Sequence, residues 1–166
     1  MKKIYMLRVL LIVITLAMMA TVFLFSAQEG NDSASSSSAV ADVIRGIFCP
    51  NFDSLDPADQ AEINYTLTVI VRKGAHMTEY AALAVLALLN CVAWNIPKRY
   101  ILKLTVALFF AVLYAVTDEL HQLFVPGRAG LFTDVLIDSA GAMIGLGIAT
   151  GVIFLVDRRK AKKTVR

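Results

Sequence analysis

Four long apolar runs constrain this chain more than anything else in it. Crossing the hydrocarbon of a bilayer takes about 20 consecutive apolar residues in a helix. Residues 4–25 meet that length with Arg8 as the sole charge. Residues 75–94 form a second run, interrupted near its start by His76 and Glu79. Residues 101–117 form a slightly short third run with Lys103 at its beginning, and 134–156 a fourth with Asp138 one turn in. The chain is 58% hydrophobic and 17% charged. A soluble domain would scatter that apolar content at helix or strand period. The expected fold class is therefore all-α: a single polytopic membrane domain with four transmembrane helices and a short interfacial helical segment on the outer side.

Charge orients the spans. Residues 2–8, the linker at 98–103 and the tail at 157–166 carry twelve of the sixteen basic residues and one acid, Asp157. Arg45, Arg72, Lys73 and Arg128 lie in the opposite segments with the other twelve acids. The positive-inside rule then assigns both termini to the cytoplasm. The basic tail suits anionic lipid headgroups, so nucleic acid is not needed to explain it. The first run is too long for a signal peptide, and Phe25 stands where a cleavage site wants a small side chain. It reads as an uncleaved anchor. Cys49 and Cys91 fall on opposite sides of the bilayer and cannot form a disulfide with each other.

The outer segment, 26–71, has order of its own. Ser33 to Ser38 is low in complexity and reads as a flexible linker. Val40, Val43, Ile44, Ile47 and Phe48 then repeat at helical spacing, with Ser38 placed to cap them. Such a helix either lies on the interface or packs against the tops of the spans. Asp56-Pro57 has the form of an N-cap followed by proline at the first helical position. The helix it starts can run directly into the second span.

The polar residues near the membrane then gather on one side. Arg72, His76 and Glu79 share a helix face, with Lys73 and Tyr80 beside them. Asp118, Glu119, His121 and Gln122 end the third run, and Arg128, Asp134 and Asp138 lead into the fourth. Continuing the Asp134 and Asp138 face gives Gly141 and Gly145, a stripe where another helix can pack closely. That turns both aspartates toward a neighbouring helix, the second or third span. Ionisable groups near hydrocarbon are costly and mark a functional site by default. His76 and His121 are the only histidines in the chain, and both fall in this cluster.

Several chemistries fit. Carboxylates beside histidines can act as general acid and base. His76 with Glu79, and Asp118 with His121, have the spacing that metal-binding bundles use, which leaves a metal open. The arginines can clamp a phosphate or carboxylate. As a catalytic site, Glu119 would be base or ligand and His121 or His76 acid or ligand. Asp134 and Asp138 would orient the histidines, while Arg72 and Arg128 hold an anionic headgroup. The structural alternative is a set of ion-pair struts, such as Arg72 with Glu119 or Arg128 with Asp134. Ser26 and Gln28 either join the site or cap the first span. No serine or cysteine is set beside a histidine as in a nucleophilic triad.

These residues also carry a family resemblance. The stretch 72–80, reading Arg-Lys-Gly-Ala-His-Met-Thr-Glu-Tyr, resembles the second-helix motif of the VanZ-like proteins. The stretch 114–122 resembles their third-helix motif, followed by Val125-Pro126-Gly127-Arg128 and by 134–141. Phe25-Ser26-Ala27-Gln28 is similar to the family's first-helix exit. The resemblance runs from about Phe25 to Gly145 with the motifs in order. It implies a bacterial plasma-membrane protein in a cell-envelope context, in a family named for resistance to the glycopeptide teicoplanin. Three classes of function follow as expectations. One is an envelope enzyme acting on a phospholipid or lipid-linked precursor, one a non-catalytic binder, and one a small transporter or accessory subunit that would have to oligomerise.

Overall fold

The computed structural model describes residues 2–28 and 30–164, apart from the side chains of 30–34, 36 and 161–164. Lys162, Lys163 and Arg166 of the basic tail thus have no described side chains, and Glu29 lies outside the description. The described residues form five α-helices and one short 3-10 turn, with no strand. Helix α1 is Lys2–Ser26, α2 Gly30–Phe48, α3 Pro57–Trp94, α4 Tyr100–Gln122 and α5 Phe132–Thr164. The turn at Phe52–Ser54 joins α2 to α3. Four helices, all but α2, are long and apolar enough to cross a membrane.

Helix α3 organises the bundle. Its 38 residues extend about 57 Å at about 1.5 Å per residue, nearly twice the hydrocarbon thickness of about 30 Å. As expected, Asp56 caps it, its side chain accepting from the Ala58 N–H at 3.4 Å, and Pro57 occupies the first turn. At its far end Asn95 adopts a left-handed conformation (φ 54°) that returns its N–H to the last carbonyls. Helices α1, α2, α4 and α5 all pack against it.

The α3–α5 seam is closest where the glycine stripe predicts. A Cβ on Gly141 would run into the backbone of Met77, 2.8 Å from its Cα. One on Gly145 would meet the backbone of Ala81 at 2.9 Å. Small residues matter here because lipid tails are as apolar as the helices, so association depends on close packing rather than on leaving water. The fully buried Ala84, Ala107, Ala111 and Ala142 extend the same close packing through the core. Val22 brings α1 into a second cluster with Tyr80, Leu83 and Ala115.

Three sequence expectations change. The serine stretch is not a linker: α2 begins at Gly30 and runs through Ser33–Ser38. Ser38 does not cap a later helix, because its hydroxyl donates to the Ser35 carbonyl at 2.8 Å inside this one. Serine satisfies the backbone one turn back without leaving helical geometry. The third span also runs on to Gln122, so Asp118–Gln122 are helical side chains with fixed directions.

Of the two readings of the outer helix, packing against a span holds. The α2 side bearing the buried Ala41 packs against α3, and Arg45 bonds Asn64 at 2.6 Å and lies over the Phe52 ring. Val40, Val43, Ile47 and Phe48 stay exposed.

Candidate functional site

The site lies where α3 leaves the apolar core, between the ends of α1 and α4 and the start of α5. Its first wall is an α3 face. Tyr65, Val69, Arg72 and His76 follow one another at intervals of four, three and four, so they line one side of the helix. The end of α4 contributes Glu119 and Gln122, and the start of α5 contributes Asp134 and Asp138. Together with Lys73 and Arg128 these residues surround a cavity of about 260 Å³.

A turn sets Arg128. Its N–H bonds the Val125 carbonyl at 3.1 Å, with Pro126 and Gly127 between them. Gly127 has φ 72°, the left-handed value that the third position of a type II turn requires. Arg128 then reaches back to the end of α1, donating to the carbonyls of Phe25 at 3.0 Å and Gln28 at 3.1 Å. Burial, and then the neighbouring Arg72 charge, lower the Arg128 pKa from its ordinary value, against the opposing pull of Asp118 and Glu119. Guanidinium remains charged under such pressure. The consequence is a cation held at a cost.

The carboxylates are arranged differently. Asp118 is buried behind the cavity, accepting from the Ser26 hydroxyl at 2.7 Å and from Gln122 at 3.3 Å. Glu119 accepts from the Leu131 N–H at 2.9 Å and from Gln122 at 3.3 Å. A Cβ on Gly130 would collide with the Glu119 carbonyl, so this loop can approach α4 so closely only with glycine there. Asp134 pairs with Lys73. Asp138 is 2% exposed, lines the cavity, and its Oδ2 has no partner among the described residues.

The expected struts therefore do not form. Arg128 engages backbone carbonyls rather than Asp134, and Glu119 is held by Leu131 and Gln122 rather than by Arg72. Arg72 has no hydrogen-bond or ion-pair partner among the described residues. Nor do the aspartates orient the histidines: no described hydrogen bond joins Asp134 or Asp138 to His76 or His121.

Of the twelve residues singled out from sequence, eight line this cavity: Arg72, Lys73, His76, Glu119, Gln122, Arg128, Asp134 and Asp138. Glu79 lines a second cavity of about 190 Å³ that shares Arg72, His76 and Arg128 with the first. Its carboxylate stands 3.7 Å from His76 Nδ1, beyond hydrogen-bond length. Asp118 and Tyr80 are buried in the support of the site, the Tyr80 ring 6.3 Å from that of Tyr114. His121 faces elsewhere, stacked on Phe23 of α1 at 4.5 Å. It comes two residues after Glu119, about 200° around the helix at about 100° per residue. Among the described residues no three His, Cys, Asp or Glu side chains are grouped to hold a metal ion. The spacing that left a metal open thus finds no ligand set there. Ser26 and Gln28 do join the site, through Asp118 and Arg128.

The Lys73–Asp134 pair and the lining residues Tyr65 and Val69 were not foreseen. Extending the Arg72 and His76 face one heptad upward along the helix would have found the latter two.

A comparison with family models matches residues 11–155 to the family described as VanZ/LLP1. Neither the comparison with curated proteins nor that with solved structures gave a match.

Proposed function

The chain belongs to the VanZ/LLP1 family, and from that premise we propose that it binds the anionic head of a cell-envelope molecule. The binding face is the outer side of a bacterial plasma membrane, with both termini cytoplasmic, as the charge distribution favours. One observation carries this reading. Arg72 and Arg128 line both cavities, and neither has a carboxylate ion-pair partner among the described residues. Two partly buried guanidiniums that repel each other gain from an anion placed between them. The ligand class is a phospholipid or lipid-linked precursor, and sequestering or altering it is the route by which the protein would contribute to glycopeptide resistance.

A catalytic form of the same reading is favoured by Asp138 and Glu119. Both are buried carboxyls on the cavity that holds the arginines, and Asp138 retains an unpartnered oxygen. A carboxyl so placed can transfer a proton to or from a bound ester.

Comparative mass spectrometry of lipids and wall precursors tests both forms. Cells would express the protein, Glu119→Gln or Arg72→Gln at matched membrane levels, with teicoplanin susceptibility recorded alongside. Enrichment of one anionic species with the purified protein, lost in Arg72→Gln, is expected. A covalent change in that species which disappears in Glu119→Gln identifies an enzyme. No Arg72-dependent species and no change in susceptibility would end the proposal.

A further inference from the structure

The second cavity has two unlike walls. Arg72, His76 and Arg128 form a charged wall shared with the larger cavity. Phe25, Val40, Val71 and Ala75 form a mainly apolar wall, with Gln28 and Ser37 as its polar members. Three of these apolar residues are also open to the surroundings: Phe25 is 49% exposed, Val40 51%, and Ala75 is likewise exposed. They come from three helices, α1, α2 and α3, so the opening is a gap between helices rather than a well in a loop. Next to Val40, Val43 and Ile47 of α2 are exposed on the same apolar stripe.

A free anion gains nothing from an apolar wall. It loses water on entering and needs polar partners on every side. A lipid needs both surfaces, a polar one for its head and an apolar one for its chain. Lipid also reaches this gap directly, because Phe25 ends the apolar run of α1 and the exposed stripe of α2 suits the boundary between headgroups and acyl chains.

We propose that the ligand is an anionic lipid that reaches Arg72 and Arg128 sideways from its leaflet. It passes through the gap bounded by Phe25, Val40 and Ala75 and leaves its chain there. This rests on the anion-binding reading above and adds to it the lateral route of entry and the seat of the acyl chain. Arg128 couples the two functions of the gap. Its guanidinium lines the head site, and its bonds to the Phe25 and Gln28 carbonyls hold the α1 side of the opening. Glu79 also lines this cavity, with its carboxylate toward His76 rather than toward either arginine.

The test uses the full chain in phosphatidylcholine nanodiscs containing phosphatidylglycerol with a photoactivatable acyl chain. Crosslinked residues are mapped by mass spectrometry, and soluble glycerol phosphate binding is measured in parallel. Crosslinks at Phe25, Val40 or Ala75 are expected, reduced at least about tenfold by Arg72→Gln, the loss that follows from removing one charge-assisted bond to the head. Ala75→Trp and Val40→Trp, which block the gap from two different helices at exposed positions, should reduce them comparably. Phe109→Trp, exposed elsewhere on α4, should not. Melting temperatures confirm that each variant is folded.

If glycerol phosphate binds in an Arg72-dependent manner and neither tryptophan in the gap alters lipid or glycerol phosphate binding, the lateral route is overturned while the anion site stands. If neither probe binds in an Arg72-dependent manner, both fall.

Discussion

The two ends of this bundle differ in how completely they satisfy positive charge. At the end holding Arg8, Lys103 and Arg158, each of these cations has a neutral partner. Arg8 donates to the Ala93 carbonyl at 3.0 Å and lies over the Trp94 ring. Lys103 donates to Asn95 at 2.7 Å, and Arg158 lies over Phe154. At the other end Arg128 also has neutral partners, the Phe25 and Gln28 carbonyls, but it shares its cavities with Arg72, which has no partner among the described residues, and with Asp138, whose Oδ2 has none among them either. The first arrangement anchors helices at a membrane boundary. The second keeps costly groups only partly satisfied, as sites that receive a ligand do.

Four substitutions would break or sharpen this contrast. Gly141→Leu should have the largest effect. The new side chain meets Met77 backbone, which cannot yield without separating α3 from α5. A stability loss of about 3 kcal/mol or more is expected, at the upper end of overpacking costs, read as a fall in melting temperature in detergent. An unchanged melting curve would mean that the glycine seam is not what brings Asp134 and Asp138 to the site.

Arg72→Gln comes next and separates binding from stability. Anionic-lipid binding should fall at least about tenfold, while the melting temperature stays level or rises, because Arg128 loses a repelling neighbour. If the melting temperature instead dropped with binding intact, Arg72 would be a strut and the contrast between the ends would vanish.

Ser26→Ala probes the support beneath the site. It removes the 2.7 Å donor to buried Asp118 and should cost about 1.5 kcal/mol, at the upper end for a lost hydrogen bond. Chemical denaturation of the purified protein measures it.

Arg8→Gln should do least. Losing one hydrogen bond and one cation–π contact should cost about 1 kcal/mol and leave lipid binding at the opposite end as it was. A binding defect in Arg8→Gln would show that the two ends are coupled.

Much of this was legible in the chain because the bilayer imposes strong local rules. Apolar runs of span length, a proline after an N-cap aspartate at 56–57, and two glycines four apart each have a single physical reading. That the α5 glycines pack closely on a neighbouring helix followed from the stripe, while the choice of α3 over α4 came from the structure. The serine-rich stretch misled because composition suggested a linker, whereas a helix seated on α3 accommodates serines that satisfy their own backbone. His121 misled because it was grouped with Glu119 by proximity, whereas two residues along a helix is about 200° around it.

The sequence by itself determined the spans, the family, the end of the bundle where polar groups gather and most residues of the cavity, since hydropathy and helical period act within one segment. Only the tertiary structure decided which charges met. Lys73 rather than Arg128 took Asp134, Arg128 took the end of α1, and Arg72 was left without a partner among the described residues. Partner choice depends on helix rotation and on the type II turn at Gly127, and these are fixed by packing across helices rather than by any local pattern.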